Sequence, residues 1–288
     1  MTTFTGAHHM VTSLQYVEET EKGLFPANPA LNYIAPEASL AITDAYGDYA
    51  IWELEGENIR QIVQGPNIAG IQVTFTPYNL ALLKYAFNTG AANREKTLSL
   101  YWKETIGGTT IYWTASFAMI ANATLVGAPG AAAATVNFIC KQPVASTSTP
   151  LGSGSEATDP GTTIFHDRSS GWNFTWGGAT PNLAAVTINV NNDLNPIIPA
   201  NYSTIQDIVV GQHIVSGRLA VYQTGTVWWG YHVNHTEGNM IWIPTTGSTI
   251  TGATCYLSGY QRTTPVGGGP NIEYFNMGNF RNISLTGT

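Results

Sequence analysis

Carboxylates are the residues of this chain best placed to do chemistry. Glu53, Glu55 and Glu57 stand at alternate positions, with Asp44 and Asp48 just upstream. On a strand alternate residues share a face, so the three glutamates would line one side of an extended segment reaching residue 58. Acid–base catalysis needs such acids held in a pocket, or a nucleophile beside a base. The chain has no G-x-S-x-G, H-E-x-x-H or P-loop sequence to supply either. The simpler reading of the acidic run is a solvated strand edge.

Metal ligation finds as little support. His232 and His235 are three residues apart, and on a strand that offset sends their rings to opposite faces. His8 and His9 are adjacent, and His166, Asp167 and Arg168 read as a charged surface turn. Cys140 and Cys255 lie far apart; they read first as buried free thiols, with a disulfide as the alternative that geometry would decide. The expectation is a protein without catalytic residues, metal or cofactor.

Aromatic side chains are the other candidates. Trp172, Phe174 and Trp176 fall on one strand face, and Trp228 and Trp229 precede Tyr231. Such rings can bind sugars or stack bases. They serve equally as core or interface anchors, and Trp172, Trp176, Trp228 and Trp229 are expected to sit between subunits.

The elements that must position these residues are mostly strands. The most distinctive stretch is 70–89, where Ile71, Val73 and Phe75 alternate with Gln72, Thr74 and Thr76. After Pro77 the spacing turns helical through Leu80, Leu82, Leu83, Ala86 and Phe87, and Gly90 stops it. Upstream, 9–16 reads as a strand followed by an arm, and 35–44 as a strand with a hairpin partner at 49–54. Downstream, 97–102 and 110–117 form a hairpin about Gly107 and Gly108, and 127–134 is a loop before a strand at 135–140.

Residues 145–163 are small and polar and read as a linker or surface loop. Beyond it the order begins again: 184–191 takes the place of 39–43, GRLAVY that of GIQVTF, and 239–244, 254–260 and 271–276 answer the later strands. The helix expected in this part is 202–209, before the mirrored strand. The chain therefore reads as a duplicated, mainly β protein, with one half over 1–144 and a second over 164–288.

Composition agrees with assembly. Charged residues are 10% of the 288, where soluble domains have roughly 25%. Gly, Thr, Asn and Ser fill the surface instead, with 14 Tyr and 8 Trp, a mixture suited to strands whose outer faces meet other protein. The net charge of −7 and the lack of a Lys/Arg run argue against gripping nucleic acid through its phosphates, while a weakly acidic wall lets a polyanion slide past. The start of the chain has no basic, apolar leader, and no run is long enough to span a bilayer, so synthesis in a cytoplasm is expected.

The early hairpin after a Gly/Pro-rich arm, GIQVTFTPYNLALLKYAF, and WGGATPNLAAVTINVNNDLNPI together resemble the tail tube (major tail) proteins of long-tailed bacteriophages and archaeal viruses. The resemblance follows element order over most of the chain. It implies a β-sandwich or barrel with a short flanking helix. Subunits of that family join inner sheets into rings that stack, with other tail proteins, around a lumen for DNA in the virion. Members with one fold copy form hexamers and members with two form trimers of pseudo-sixfold symmetry, so the duplication here implies the trimer. Asp44, Asp48, Glu53, Glu55 and Glu57 are then the expected lumen residues. The alternative is a β-sandwich carbohydrate-binding module of a virion fibre or spike.

Overall fold

The computed structural model describes residues 11–35, 38–46, 49–52, 59–63, 67–77, 79–88, 91–128, 131–159, 173–245, 248–265 and 269–287. It is mainly β, as the alternating sequence requires. In the first part β1 (Val11–Glu18), β2 (Asn32–Tyr33), β3 (Ala38–Tyr46), β4 (Tyr49–Trp52), β5 (Ile59–Val63) and β6 (Asn67–Phe75) lead into α1 (Lys84–Phe87) and α2 (Ala91–Arg94). β7 (Leu98–Ile106), β8 (Thr109–Ala128), β9 (Ala131–Cys140) and β10 (Val144–Ser146) complete it. The second part contains β11 (Asn173–Trp176), β12 (Leu183–Asn191), β13 (Leu194–Ile197), β14 (Asp207–Val210) and β15 (Ile214–Tyr222). After these come α3 (Val227–Val233), β16 (Glu237–Thr245), β17 (Ser248–Thr263), β18 (Ile272–Gly278) and β19 (Asn282–Thr286).

The two parts pair their strands alike. β3 pairs β6, β6 pairs β9, and β9 pairs the second half of β8. The first half of β8 pairs β7 and β10, and β7 pairs β1. Replacing these by β12, β15, β18, β17, β16, β19 and β11 reproduces every pairing. The hairpins β4–β5 and β13–β14 occupy the same place in the order. β2 and α2 have no counterpart among the described residues.

The match reaches single residues. The long strands β8 and β17 each turn a corner at a residue in the left-handed region, Phe117 (φ 58°) and Thr254 (φ 48°). Trp102 and Trp242 are fully buried at corresponding points of β7 and β16. The stretch from Leu82 to Asn88 answers Trp228 to Asn234: Asn88 and Asn234 each cap the helix C-terminus. Tyr85 meets Tyr16 edge-on at 6.2 Å, and Tyr231 meets Trp176 at 4.9 Å. In GIQVTF and GRLAVY, however, the glycines are one residue out of step. Gln72 faces Asn137 as Arg218 faces Asn276, so Ile71 answers Gly217.

Each long strand passes from one layer to the other at its corner, and the main core fills the space between. Ile71, Val73, Leu125, Val136 and Phe138 of one layer pack with Leu98, Leu100, Trp102 and Ala115 of the other. Hairpin β13–β14 closes a smaller cluster, in which Ile205 and Ile208 cover Phe117 and Met119.

Several expected elements differ. Residues 49–52 pair β5 instead of β3. The helix expected from Pro77 is hydrogen-bonded only from Leu80, with Asn79 Oδ1 accepting Ala81 N–H at 3.0 Å. Of the expected loop 127–134, residues 127–128 and 131–134 are strand, paired as far as Ala128↔Ala131. Residues 207–209 of the expected second helix belong to β14, and the helix is α3, after β15 as α1 follows β6. Its formation rests on packing against β17 and the core, which overrides the weak helix preference of Trp, Tyr and Val. The expected linker begins inside β10 and buries Leu151 beside Leu31 and Tyr101. Cys140 and Cys255 are both free and buried.

The corner at Phe117 is pinned from beneath. The buried Glu19 carboxylate accepts Phe117 N–H at 2.7 Å, Ser99 O–H at 2.6 Å and Gly23 N–H at 2.6 Å. Removing one acceptor that serves three buried donors is expected to cost on the order of 3 kcal/mol. Glu19→Ala should lower the denaturant midpoint accordingly, and an unchanged midpoint would show that the corner holds without it.

Candidate functional site

The first layer of each part is a four-stranded sheet, and β8 pairs β12 from Asn122↔Asn191 to Gly127↔Val186. The two sheets thus run on as one, in the order β3-β6-β9-β8-β12-β15-β18-β17. Period-two alternation turns Val73, Val136, Leu125, Ile188, Leu219 and Phe275 to the core. It leaves the opposite face mainly to amides and hydroxyls, with Val126 and Ile214 exposed among them. One row across the strands reads Ala41, Gln72, Asn137, Asn122, Asn191, and the next Ser39, Thr74, Thr135, Thr124, Asn189, Ser216.

These side chains bond to each other across the strands. Gln72 Nε2 donates to Asn137 Oδ1 at 2.9 Å, and Asn137 Nδ2 donates to Asn122 Oδ1. Thr74 and Thr135 share a hydrogen bond at 3.1 Å, and Thr124 O–H donates to Asn189 at 2.8 Å. Among the described residues Arg218 is the charged side chain of this face. Its guanidinium lies 4.6 Å over the Tyr274 ring and donates to Gln261 at 3.3 Å, so its charge is held flat against its own sheet. A face of paired, neutral dipoles attracts phosphate weakly and repels it weakly. The polar positions of the alternating runs carried this signal, which attention to charged and aromatic residues passed over.

The ends of this sheet are open. β3 pairs only β6, and beyond Tyr256 the strand β17 pairs only β18, among the described residues. They are the edges that β12 and β8, their counterparts, join inside the chain.

Of the expected acidic residues, Asp44 has its backbone in β3 opposite Ala69. Asp48, Glu53, Glu55 and Glu57 lie outside the described residues, as does Trp172. Trp176 and Trp228 belong to the chain's own core, at 0% and 6% exposure, and Trp176 Nε1 donates to Cys255 Sγ at 3.1 Å. This corrects their placement between subunits and removes them as sugar platforms. Trp229, at 43%, is exposed on α3. His232 lies in α3 and His235 just after it, and among the described residues no three His, Cys, Asp or Glu cluster to hold a metal. No helix among them is long and apolar enough to cross a membrane.

Titration follows burial. Desolvation lifts the Cys255 thiol to about 11, so it stays protonated and inert. His213, between β14 and β15, reaches across to Ala86 O in α1 at 3.1 Å, and burial, with the Arg94 charge, lowers its pKa below 6.5. A histidine lowered in the folded state binds fewer protons there than when unfolded, so its contribution is complete above 6.5 and declines as pH falls below it. Unfolding free energy should therefore drop between pH 7 and pH 5, and His213→Gln should flatten that slope; parallel slopes would show that the group does not report on folding. No family model matches the chain, and no curated protein matches it.

Proposed function

We propose that the chain is the structural subunit of a viral tail tube, assembling into stacked rings around a lumen through which the DNA genome passes. The observation that carries this reading is the β8–β12 junction. One repeat extends its sheet into the next by strand pairing, while among the described residues the matching edges at both ends stand unpaired. Repetition of one junction by rotation gives a closed ring when the angle allows and leaves no edge to aggregate. Three copies would close six repeats. The face of neutral amides and hydroxyls would then line the bore, where it offers DNA no cationic grip.

The in-chain register transfers to the junction between copies. Asn189, which corresponds to Thr43, lies opposite Thr124, which corresponds to Gln261. Thr43 of one copy should thus face Gln261 of the next. In this role the subunit is architectural and carries no catalytic group.

Purified protein should show rings or tubes by negative-stain microscopy, with a ring mass three times the 30.9 kDa of the chain in light scattering. Thr43→Cys and Gln261→Cys chains, mixed, should cross-link only after assembly. A protein that stays monomeric at high concentration would sink the reading.

A further inference from the structure

The helices α1 and α3 occupy corresponding places, yet their surfaces differ. Leu83 and Phe87 of α1 are fully buried, whereas their counterparts Trp229 and Val233 are 43% and 51% exposed. Val227 beside them is 58% exposed. Each helix packs on its own long strand, α1 on β8 and α3 on β17. Beyond that, α1 is covered by α2, and by β19 and β12 from the second part of the chain. At the centre of this contact Leu285 N–H, on β19, donates to the capping Asn88 Oδ1 at 2.7 Å.

α3 has the same cap residue, Asn234, and it is exposed. The strand that corresponds to β19 is β10. Ile250 faces Leu285 as Trp113 faces Ala145, so Ala145 stands where Leu285 stands. Val144, beside it, is 65% exposed. Among the described residues an apolar helix face of Val and Trp is thus open in the second repeat, and β10, with its exposed valine, pairs only β8 in the first.

We propose that α3 of one copy receives β10 of the next, with Trp229 and Val233 packed beneath it and Asn234 Oδ1 accepting Ala145 N–H. This rests on the tube reading, and adds to it a second contact in the layer away from the polar face. The partner is a second copy of this chain. The side chains that meet are apolar or neutral, so the contact should strengthen little as salt falls.

The test uses full-length chains carrying Asn234→Cys or Ala145→Cys, mixed and treated with a short bis-maleimide, the native cysteines being buried. A dimer band from the mixture alone, present only in assembled fractions, is the expected result. Trp229→Ala and Asn234→Ala should raise the concentration needed for assembly about tenfold, as loss of an interface anchor does. Asn234→Ala, at an exposed side chain, should leave the unfolding midpoint of the monomer unchanged, whereas Trp229→Ala also removes an edge-on contact with Tyr260 at 4.6 Å and should lower it slightly. Assembly in which the 43–261 pair cross-links and the 234–145 pair does not would overturn this contact and leave the tube reading standing. Absence of any assembly would overturn both.

Discussion

A strand edge is a row of backbone donors and acceptors, and the structure is governed by where those rows find partners. Inside the chain one edge of the first repeat is satisfied by β12, and that single junction turns two sandwiches into one continuous sheet of eight strands. The consequence is directional. Each repeat has a leading and a trailing edge, and among the described residues one of each is left over, on β3 and on β17.

The same direction shows in the second layer. Hairpin β13–β14 closes a cluster over the β8 corner, β19 covers α1, and His213 bonds to Ala86, all of them contacts made by the second repeat on the first. Among the described residues α1 is therefore better buried than α3. Corresponding stretches of the two repeats meet different surroundings, which is why Leu83 is hidden and Trp229 is not.

Polar groups are handled in two ways. Where burial is deep, a single carboxylate gathers several donors, as Glu19 does beneath the β8 corner. Where the sheet is open, amides and hydroxyls pair with each other across strands, so the face is polar without being charged. The second arrangement explains how a chain with 10% charged residues presents a wide wettable surface.

Alternation and turn residues were legible in the sequence: β6, β7, β9, β12 and β15 follow runs such as GIQVTF and AAVTINVN, and Gly107 and Gly108 turn the β7–β8 hairpin. The repeated order of elements was legible too, because each repeat carries its own local signals. The register between repeats was not, since glycines that look alike in sequence stand one residue apart when Asn137 and Asn276 are matched across strands. Nor was α3, whose Trp-Trp-Gly-Tyr run has little helical preference and is helical because β17 lies beneath it. Whether Trp176 and Trp229 belonged to a core or to a surface depended on chain 50 or more residues distant in the first case and, in the second, on there being no strand over α3 among the described residues as β19 lies over α1. Periodicity is a local property and belongs to the sequence, whereas burial is set by what packs from elsewhere, so only the tertiary structure could decide it.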